Sequence, residues 1–193
     1  MPYCGLDRAG EIGWGSHRCL FYRFPAQLAQ VTAAYVHAGL QARELCVWVT
    51  TAPVTPASAQ EALARLGCDA ARYVRSGQLQ LVPHEAWYLE NGRFDKARML
   101  AKWEVPMRRA ESEGYAGLRI TGDPAWLNSE EERRAFMEYE RDATDLLARS
   151  RVVALCTYAA SRCSPTDMFD IMAAHPSALV PSAAGWKTVT TGV

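Results

Sequence analysis

The sequence lacks the features that mark several large classes of protein. No apolar run approaches the roughly 18–20 residues that a membrane-spanning helix needs. Neither sign of charge is in excess, since 21 Lys and Arg residues balance 21 Asp and Glu residues, so nothing indicates a basic surface for nucleic acid or for an anionic membrane. The N-terminus has no basic segment followed by an apolar one, as a signal peptide would have. We therefore expect a cytoplasmic protein that contacts neither membrane nor nucleic acid directly.

Two short motifs are also missing. The chain contains no Gly-Lys-Ser or Gly-Lys-Thr, which excludes the phosphate-binding loop of P-loop nucleotidases. It has six cysteines but no Cys-x-x-Cys pair, so the common spacings of zinc and redox motifs do not occur. In a reducing compartment, the simplest interpretation of these cysteines is that they are buried thiols acting as small apolar side chains.

Apolar runs typical of buried strands alternate with helical patterns along the 193 residues. Strands are predicted within residues 17–24, 44–50, 78–83, 117–121 and 152–158, with a last short strand near 178–180. Helices are predicted at 25–42, 55–67, 95–112, 129–149 and 164–175, the third of them kinked at Pro106. This order predicts one α/β domain with a mainly parallel sheet flanked by helices on both faces. Residues 1–16 are interpreted as an N-terminal leader of turns, residues 17–181 as the domain and residues 182–193 as a C-terminal tail or linker.

A candidate ligand site follows from this fold class. In a parallel sheet, the ligand crevice lies beyond the carboxyl ends of the strands. The residues predicted at or just past those ends are Tyr22, Arg23, Thr50, Thr121, Asp123, Trp126 and Tyr158. Their aromatic rings suit the walls of an apolar pocket, and their hydroxyl and carboxyl groups suit the few polar contacts that orient a small molecule. A solvated surface position is the simpler interpretation of Arg23.

Metal-binding side chains form a second candidate site. His17 and Cys19 lie two residues apart on the first strand, and Cys156 lies on the fifth. The three converge if those strands are neighbours, with Cys163 or His175 in reach. Zinc and haem iron take such ligands. The opposing interpretation of His17 is a strand-edge histidine whose ring bonds a backbone group.

Four stretches of the chain together resemble one known family. They read HRCLFY at 17–22, LQARELCVWVT at 40–50, YAGLRITGDPAW at 115–126 and ALCTY at 154–158. In this order and spacing they resemble the MEDS family, the methanogen/methylotroph DcmR sensory domain. The resemblance implies a RecA/KaiC-like three-layer fold without a Walker A phosphate loop. It also implies a sensor of small molecules, including hydrocarbon derivatives, that works with histidine-kinase, anti-sigma-type or helix-turn-helix output segments.

The chain departs from the family pattern at two places beside the expected crevice. Pro124-Ala125 replaces the Met-Ser expected before Trp126, and Ala159-Ala160 replaces the acidic and basic residues that often follow Tyr158. Both departures bear on which ligand is bound.

From these observations we expect a ligand-sensing regulatory domain of signal transduction or transcriptional control, with a small-molecule effector and no catalytic residue or cofactor. Two alternatives stay open. One is a degenerate nucleotide-binding protein, because Asp123 follows a strand where an ATPase places its magnesium-binding acid. The other is a metal- or haem-responsive sensor that uses His17 and cysteines. The acidic stretch Glu138–Glu140 is interpreted as a solvated helix face, and homodimerisation is left open.

Overall fold

The chain forms a seven-stranded β-sheet with helices on both faces, in a computed structural model that describes residues 1–183 and 185–191. The strands of the sheet are β1 (Ser16–Tyr22), β2 (Leu45–Thr50), β3 (Leu79–Pro83), β6 (Leu118–Gly122), β7 (Val152–Ala159), β8 (Ser177–Ser182) and β9 (Gly185–Thr190). β4 (Leu89–Glu90) and β5 (Arg93–Phe94) form a separate antiparallel hairpin. The order across the sheet is β3-β2-β6-β7-β1-β8-β9, and only the β8–β9 pair is antiparallel. The predicted fold class is confirmed.

The helices cover the sheet in two layers. They are α1 (Pro25–Gln41), α2 (Pro56–Ala64), α3 (Ala70–Arg75), α4 (His84–Tyr88), α5 (Lys96–Lys102), α6 (Glu104–Ser112), α7 (Glu130–Leu147) and α8 (Pro165–Ala174), with a 3₁₀ turn at Ala160–Arg162. Helices α1, α2 and α3 pack on one side, which we call the α1 face, and α4 to α8 pack on the other, which we call the α7 face. Within the described residues, no helix is both long and apolar enough to cross a membrane.

Local sequence explains where the principal helices begin and end. Ser129 accepts a hydrogen bond from the backbone N–H of Glu132, and the Glu132 carboxylate accepts one from the Ser129 backbone, so a capping box starts α7. Ser164 and Asp167 do the same for α8. The predicted helix over 95–112 is broken at Trp103 into α5 and α6. Pro106 accounts for the break, because it has no N–H and its ring excludes the carbonyl four residues earlier.

The two chain ends are more structured than the sequence predicts. In the leader, Cys4, Leu6 and Ile12 are buried against α1 and extend the core of the α1 face. In the tail, β9 pairs with β8 and forms one edge of the sheet. The composition of the tail, rich in Ser, Gly and Thr, favoured a loop, but in the structure this segment forms the second strand of the β8–β9 hairpin. Residues 184, 192 and 193 of this tail lie outside the described residues.

Alternation along β7 decides which side chains share a face. Leu155 packs into the core beneath α1, whereas Ala154 and Tyr158 pack beneath α7 and α8. The register aligns Cys156 with Cys19 of β1 and with Gly122 of β6. Because paired residues of a parallel sheet point to the same side, the α7 face receives His17, Cys19 and Cys156 together.

Candidate functional site

The seven strand-end residues do not gather in one pocket. Tyr22, Thr50 and Thr121 are buried on the α1 face, whereas Trp126 and Tyr158 are buried on the α7 face. Asp123 lies at the end of β6, and Arg23 is exposed in the turn after β1. The sheet therefore separates the predicted set into two groups.

Asp123 is a buried carboxyl held by hydrogen bonds. The Ala125 backbone N–H donates to Oδ1 at 2.7 Å, and the Thr157 hydroxyl donates to Oδ2 at 3.3 Å. The Tyr22 hydroxyl also donates to this carboxyl. Burial raises the pKa of Asp123 to about 6, although these hydrogen bonds and the charge of Arg162 act in the opposite direction. The aromatic ring of Tyr22 thus reaches the acid at the end of β6.

A groove opens on the α7 face between α7, α8 and the end of β7. Its cavity measures about 540 Å³. Leu127, Met137, Tyr158 and Ile171 contribute its apolar lining, and charged side chains of both signs from α7 and α8 border it. Of the seven predicted residues, Asp123 and Tyr158 line it. The buried hydroxyl of Tyr158 has no hydrogen-bond partner among the described residues.

Beside this groove lies a cluster of four potential metal ligands, which we call the donor cluster: His17, Glu140, Cys156 and His175. They come from β1, α7, β7 and the C-cap of α8. His17, Glu140 and His175 are each at most 2% exposed, and Cys156 is partly buried. One donor atom from each residue lies within 4.8 Å of all the others.

The distances inside the donor cluster are short. Oε2 of Glu140 lies 3.0 Å from Nε2 of His17 and 3.1 Å from Nε2 of His175. Sγ of Cys156 lies 3.2 Å from the same His17 nitrogen. The two imidazole rings are 4.2 Å apart between centroids. Both Nε2 atoms and the two acidic side chains therefore point at one small volume.

The other ring nitrogens are held from outside the donor cluster. Nδ1 of His17 lies 2.8 Å from the hydroxyl of Thr144, which in turn donates to the carbonyl of Ala174 at 2.8 Å. Nδ1 of His175 lies 2.7 Å from the carbonyl of Ile171. These contacts fix the orientation of both rings, as outer partners do for metal-binding histidines.

Burial and mutual contact shift the acidity of the donor cluster. Burial and the adjacent His175 lower the pKa of His17, against the effect of Glu140. Burial raises the pKa of Glu140, but its close contacts with His17 and His175 outweigh burial and lower the pKa to about 2. Burial and the nearby Glu140 charge raise the pKa of the Cys156 thiol well above its ordinary value. The cluster thus holds an ionised carboxylate beside a protonated thiol.

Three of the four residues in the donor cluster were named as candidate metal ligands from the sequence. β1 and β7 are neighbours, so His17 and Cys156 do converge, and His175 joins them. Cys19 is directed elsewhere, with its Sγ 4.0 Å from the Ser177 carbonyl. Cys163 lines the groove instead.

The interpretation of Glu140 as part of a solvated helix face is wrong, because its side chain is 1% exposed. Its position carried the missing signal. Glu140 lies four residues after Phe136 and three before Ala143, in phase with the buried stripe of α7.

Comparison with known proteins supports the fold and the family. The family model of the sensory domain MEDS (methanogen/methylotroph, DcmR) matches residues 16–176. Among curated proteins, none matches the chain.

Two solved structures have a similar fold. The KaiC-like protein PH0186 of Pyrococcus horikoshii OT3 superposes with a TM-score of 0.63 at 17% identity, covering 97% of this chain and 83% of that one. The flagellar accessory protein FlaH of Methanocaldococcus jannaschii gives a TM-score of 0.56 at 15% identity, covering 93% and 78%. At these identities the likeness shows a shared KaiC-like fold.

Proposed function

The chain belongs to the MEDS family of sensory domains, and from that premise we propose that it senses a small organic molecule bound in the groove between α7 and α8. The observation that carries the proposal is a cavity of about 540 Å³ whose lining includes Tyr158, a residue whose buried hydroxyl has no hydrogen-bond partner among the described residues. A buried hydroxyl without a partner is costly, and a ligand that bonds to it removes the cost. The cavity has the volume of ordinary ligand pockets, roughly 300–1,000 Å³.

The lining suggests the chemistry of the ligand. Met137 and Ile171 offer apolar contact, and Tyr158 offers a hydroxyl that donates or accepts. At the border, Arg133 and Arg141 of α7 face a groove that also receives Asp170 of α8. A compact molecule with an apolar body and one or two polar groups suits this arrangement better than a highly charged one.

The groove also suits a regulatory role, because one of its walls ends at the donor cluster. Tyr158 stands edge-on to His175, with ring centroids 5.9 Å apart and planes at 82°. His175 caps α8, and the side chain of Ile171 on that helix lines the groove. A ligand that prefers one position of α8 shifts the population toward it. We propose that a histidine-kinase, anti-sigma-type or helix-turn-helix output partner responds to this shift.

A groove-filling variant tests the proposal. Thr166 lines the groove from the exposed side of α8, and Ala173 is exposed on the same helix outside it. A panel of short-chain alcohols, haloalkanes and carboxylates is screened by thermal shift, since ligands that bind the folded state raise its stability. We expect a compound from this panel to stabilise the wild type and Ala173→Trp but not Thr166→Trp. Equal responses of the two variants, or no response from the wild type, would contradict the proposal.

We also propose that the chain does not hydrolyse ATP. The turn after β1 offers the buried ring of Tyr22 and the amide-less Pro25 where an ATPase needs backbone amides and a lysine. ATP, ADP and cyclic nucleotides are expected to leave the thermal stability unchanged, and magnesium and ATP are expected to yield no phosphate. Magnesium-dependent hydrolysis that is abolished by Asp123→Ala would overturn this proposal.

A further inference from the structure

The donor cluster contains more hydrogen-bond acceptors than hydrogens to share among them. The carbonyl of Ile171 accepts hydrogen bonds but has none to donate, so Nδ1 of His175 carries the proton of that ring. The hydroxyl of Thr144 donates its hydrogen to the carbonyl of Ala174, so it accepts from Nδ1 of His17. Both neutral imidazoles therefore direct the lone pair of Nε2 into the cluster.

The carboxylate faces these lone pairs directly. Oε2 of Glu140 and Nε2 of His175 lie 3.1 Å apart, and neither has a hydrogen-bond partner within the described part of the chain. The thiol of Cys156 supplies one hydrogen, to Nε2 of His17 at 3.2 Å. Three acceptors thus share one hydrogen in a volume that is closed to water on most sides. Only an added positive charge, either a metal ion or a further proton, makes this contact favourable.

Two features favour a metal ion over a proton, and the distances are compatible with one. In the neutral form of both rings, Nδ1 donates its proton to an outer acceptor and leaves the lone pair of Nε2 for a metal, which is the usual arrangement of metal-binding histidines. One carboxylate and one thiolate carry two negative charges, which a divalent ion neutralises. The contacts of 3.0, 3.1 and 3.2 Å, which hydrogen bonds would also give, are compatible with the about 3.3 Å between neighbouring ligand atoms of a zinc tetrahedron with bonds of about 2.05 Å.

We infer that His17, Glu140, Cys156 and His175 bind one divalent transition-metal ion, through two imidazole nitrogens, one carboxylate oxygen and one thiolate sulfur. This mixed set suits zinc and excludes magnesium and calcium, which take oxygen ligands. A porphyrin does not fit among donor atoms that lie within 4.8 Å of one another. Because four protein ligands fill a tetrahedron, the ion is structural or regulatory and leaves no position for a catalytic water. This inference is independent of the ligand in the groove.

Metal binding joins four separate elements at one point. The ion connects β1 and β7 of the sheet to α7 and to the end of α8, which are also the two walls of the groove. An empty centre leaves α8 attached by fewer contacts. A bound ion is therefore expected to reduce the movement of α8, which forms one wall of the groove.

The test uses the full chain, stripped of metal under reducing conditions and then loaded with zinc or cobalt(II). We expect one ion per chain by mass spectrometric metal analysis. The cobalt form is expected to show the visible bands of a tetrahedral site and a thiolate-to-metal charge-transfer band. Cys156→Ser is expected to lose the charge-transfer band, whereas Cys68→Ser, which removes a buried thiol elsewhere, retains it.

Three further variants test the individual positions: one ligand, one residue that hydrogen-bonds to a ligand, and one control histidine. His175→Gln is expected to weaken zinc binding more than the roughly 10- to 100-fold that loss of an outer partner costs, and Thr144→Val by about that amount. His84→Gln is the control, since His84 stacks on Trp126 and is not a member of the donor cluster. If a variant fails to fold, X-ray absorption of the zinc-loaded wild type still decides, with one sulfur and three nitrogen or oxygen neighbours expected.

Two outcomes would overturn the inference. The first is a wild-type chain that retains no ion after loading, which would make the donor cluster a protonated hydrogen-bond network. The second is an ion whose stoichiometry and spectrum do not change in Cys156→Ser and His175→Gln. Groove-filling Thr166→Trp is expected to bind zinc normally, so failure of the metal site and failure of the proposed groove are distinguishable.

Discussion

The two faces of the sheet each bury a glutamate among polar groups, and they satisfy it differently. On the α1 face, Arg119 of β6 is fully buried and holds both oxygens of Glu44, at 2.5 and 3.2 Å. Its remaining N–H groups donate to the carbonyls of Tyr3, Cys4 and Tyr35, and its guanidinium lies 4.5 Å from the centre of the Tyr35 ring. This pair brings its own cation, and each donor has an acceptor.

On the α7 face, Glu140 faces two imidazoles in place of a guanidinium. Two imidazole nitrogens and a thiol surround it, and the outer hydrogen bonds place the single proton of each neutral ring on Nδ1, on the side away from the carboxylate. The comparison shows two ways of neutralising a buried carboxylate. On the α1 face the cation is a side chain of the protein, Arg119. On the α7 face we propose that the cation is a metal ion taken up from solution.

The largest expected effect comes from breaking the complete pair. Arg119→Met leaves Glu44 buried without a partner, and loss of one member of a buried pair costs about 3–5 kcal/mol. We expect the free energy of unfolding in urea to fall by that amount, equally with zinc and with a chelator. Adding Glu44→Gln removes the isolated charge, and the double variant is expected to regain part of the stability. An Arg119→Met chain as stable as the wild type would contradict this account of the α1 face.

The next largest effect is the stabilisation expected when zinc binds to the donor cluster. Zinc at 100 times its dissociation constant is expected to raise the free energy of unfolding of the wild type by about 2.7 kcal/mol. Arg119→Met is expected to keep this increment, because its defect lies on the other face. Cys156→Ser and His175→Gln are expected to lose it. Urea unfolding of each chain, with and without zinc, measures the four values, and an increment that survives in both cluster variants would rule out the donor cluster as its source.

A third buried carboxyl, that of Asp123 at the end of β6, is expected to make the free energy of unfolding depend on pH. Asp123 has hydroxyl and amide donors and, among the described residues, no ion-pair partner within 4 Å, and burial raises its pKa from the ordinary 3.8 to about 6 against the charge of Arg162. The folded state then binds the proton more tightly than the unfolded state, so stability falls as pH rises from about 4 to 6. Asp123→Asn is expected to remove this loss, on the order of 3 kcal/mol. Unfolding at several pH values measures it, with the exposed Asp170→Asn as control; equal slopes in the two variants would contradict the assignment.

The smallest expected effect on stability is at the groove. The hydroxyl of Tyr158 has no partner among the residues that the structure describes, so Tyr158→Phe removes an unpaired polar atom. We expect a change of at most about 1 kcal/mol, in the stabilising direction. Any compound found to bind the wild-type groove is expected to bind this variant more weakly in calorimetry. A strongly destabilised Tyr158→Phe would show that the hydroxyl already has a partner.

The fold could be predicted from the sequence because its signals are local and repeated. The unbroken apolar runs of β2 and β7 and the capping residues Ser129 and Ser164 place strands and helices in order. Two features were out of reach. The break at Trp103 depends on how a proline three residues later constrains the preceding turn. Strand β9 is too polar to be recognised until it pairs with β8.

The donor cluster was predictable only in part, for a related reason. The sequence left open that His17 and Cys156 converge, on the condition that the first strand and the strand over residues 152–158 are neighbours, which they are. Glu140 is separated from them by two packing steps, since α7 must lie across β1 and β7 before its carboxylate reaches His17. Side chains that meet through helix docking leave little trace in the spacing of residues along the chain.

The measurement that tests the central claim most directly is calorimetric titration of zinc into the metal-free chain near pH 7, in two buffers of different ionisation enthalpy. Metal binding requires the thiolate, and an ordinary cysteine thiol is protonated near pH 7, so the bound ion must displace a proton. We predict one zinc per chain with release of at least one proton. Absence of a one-to-one site, or binding that releases no proton, would contradict the account.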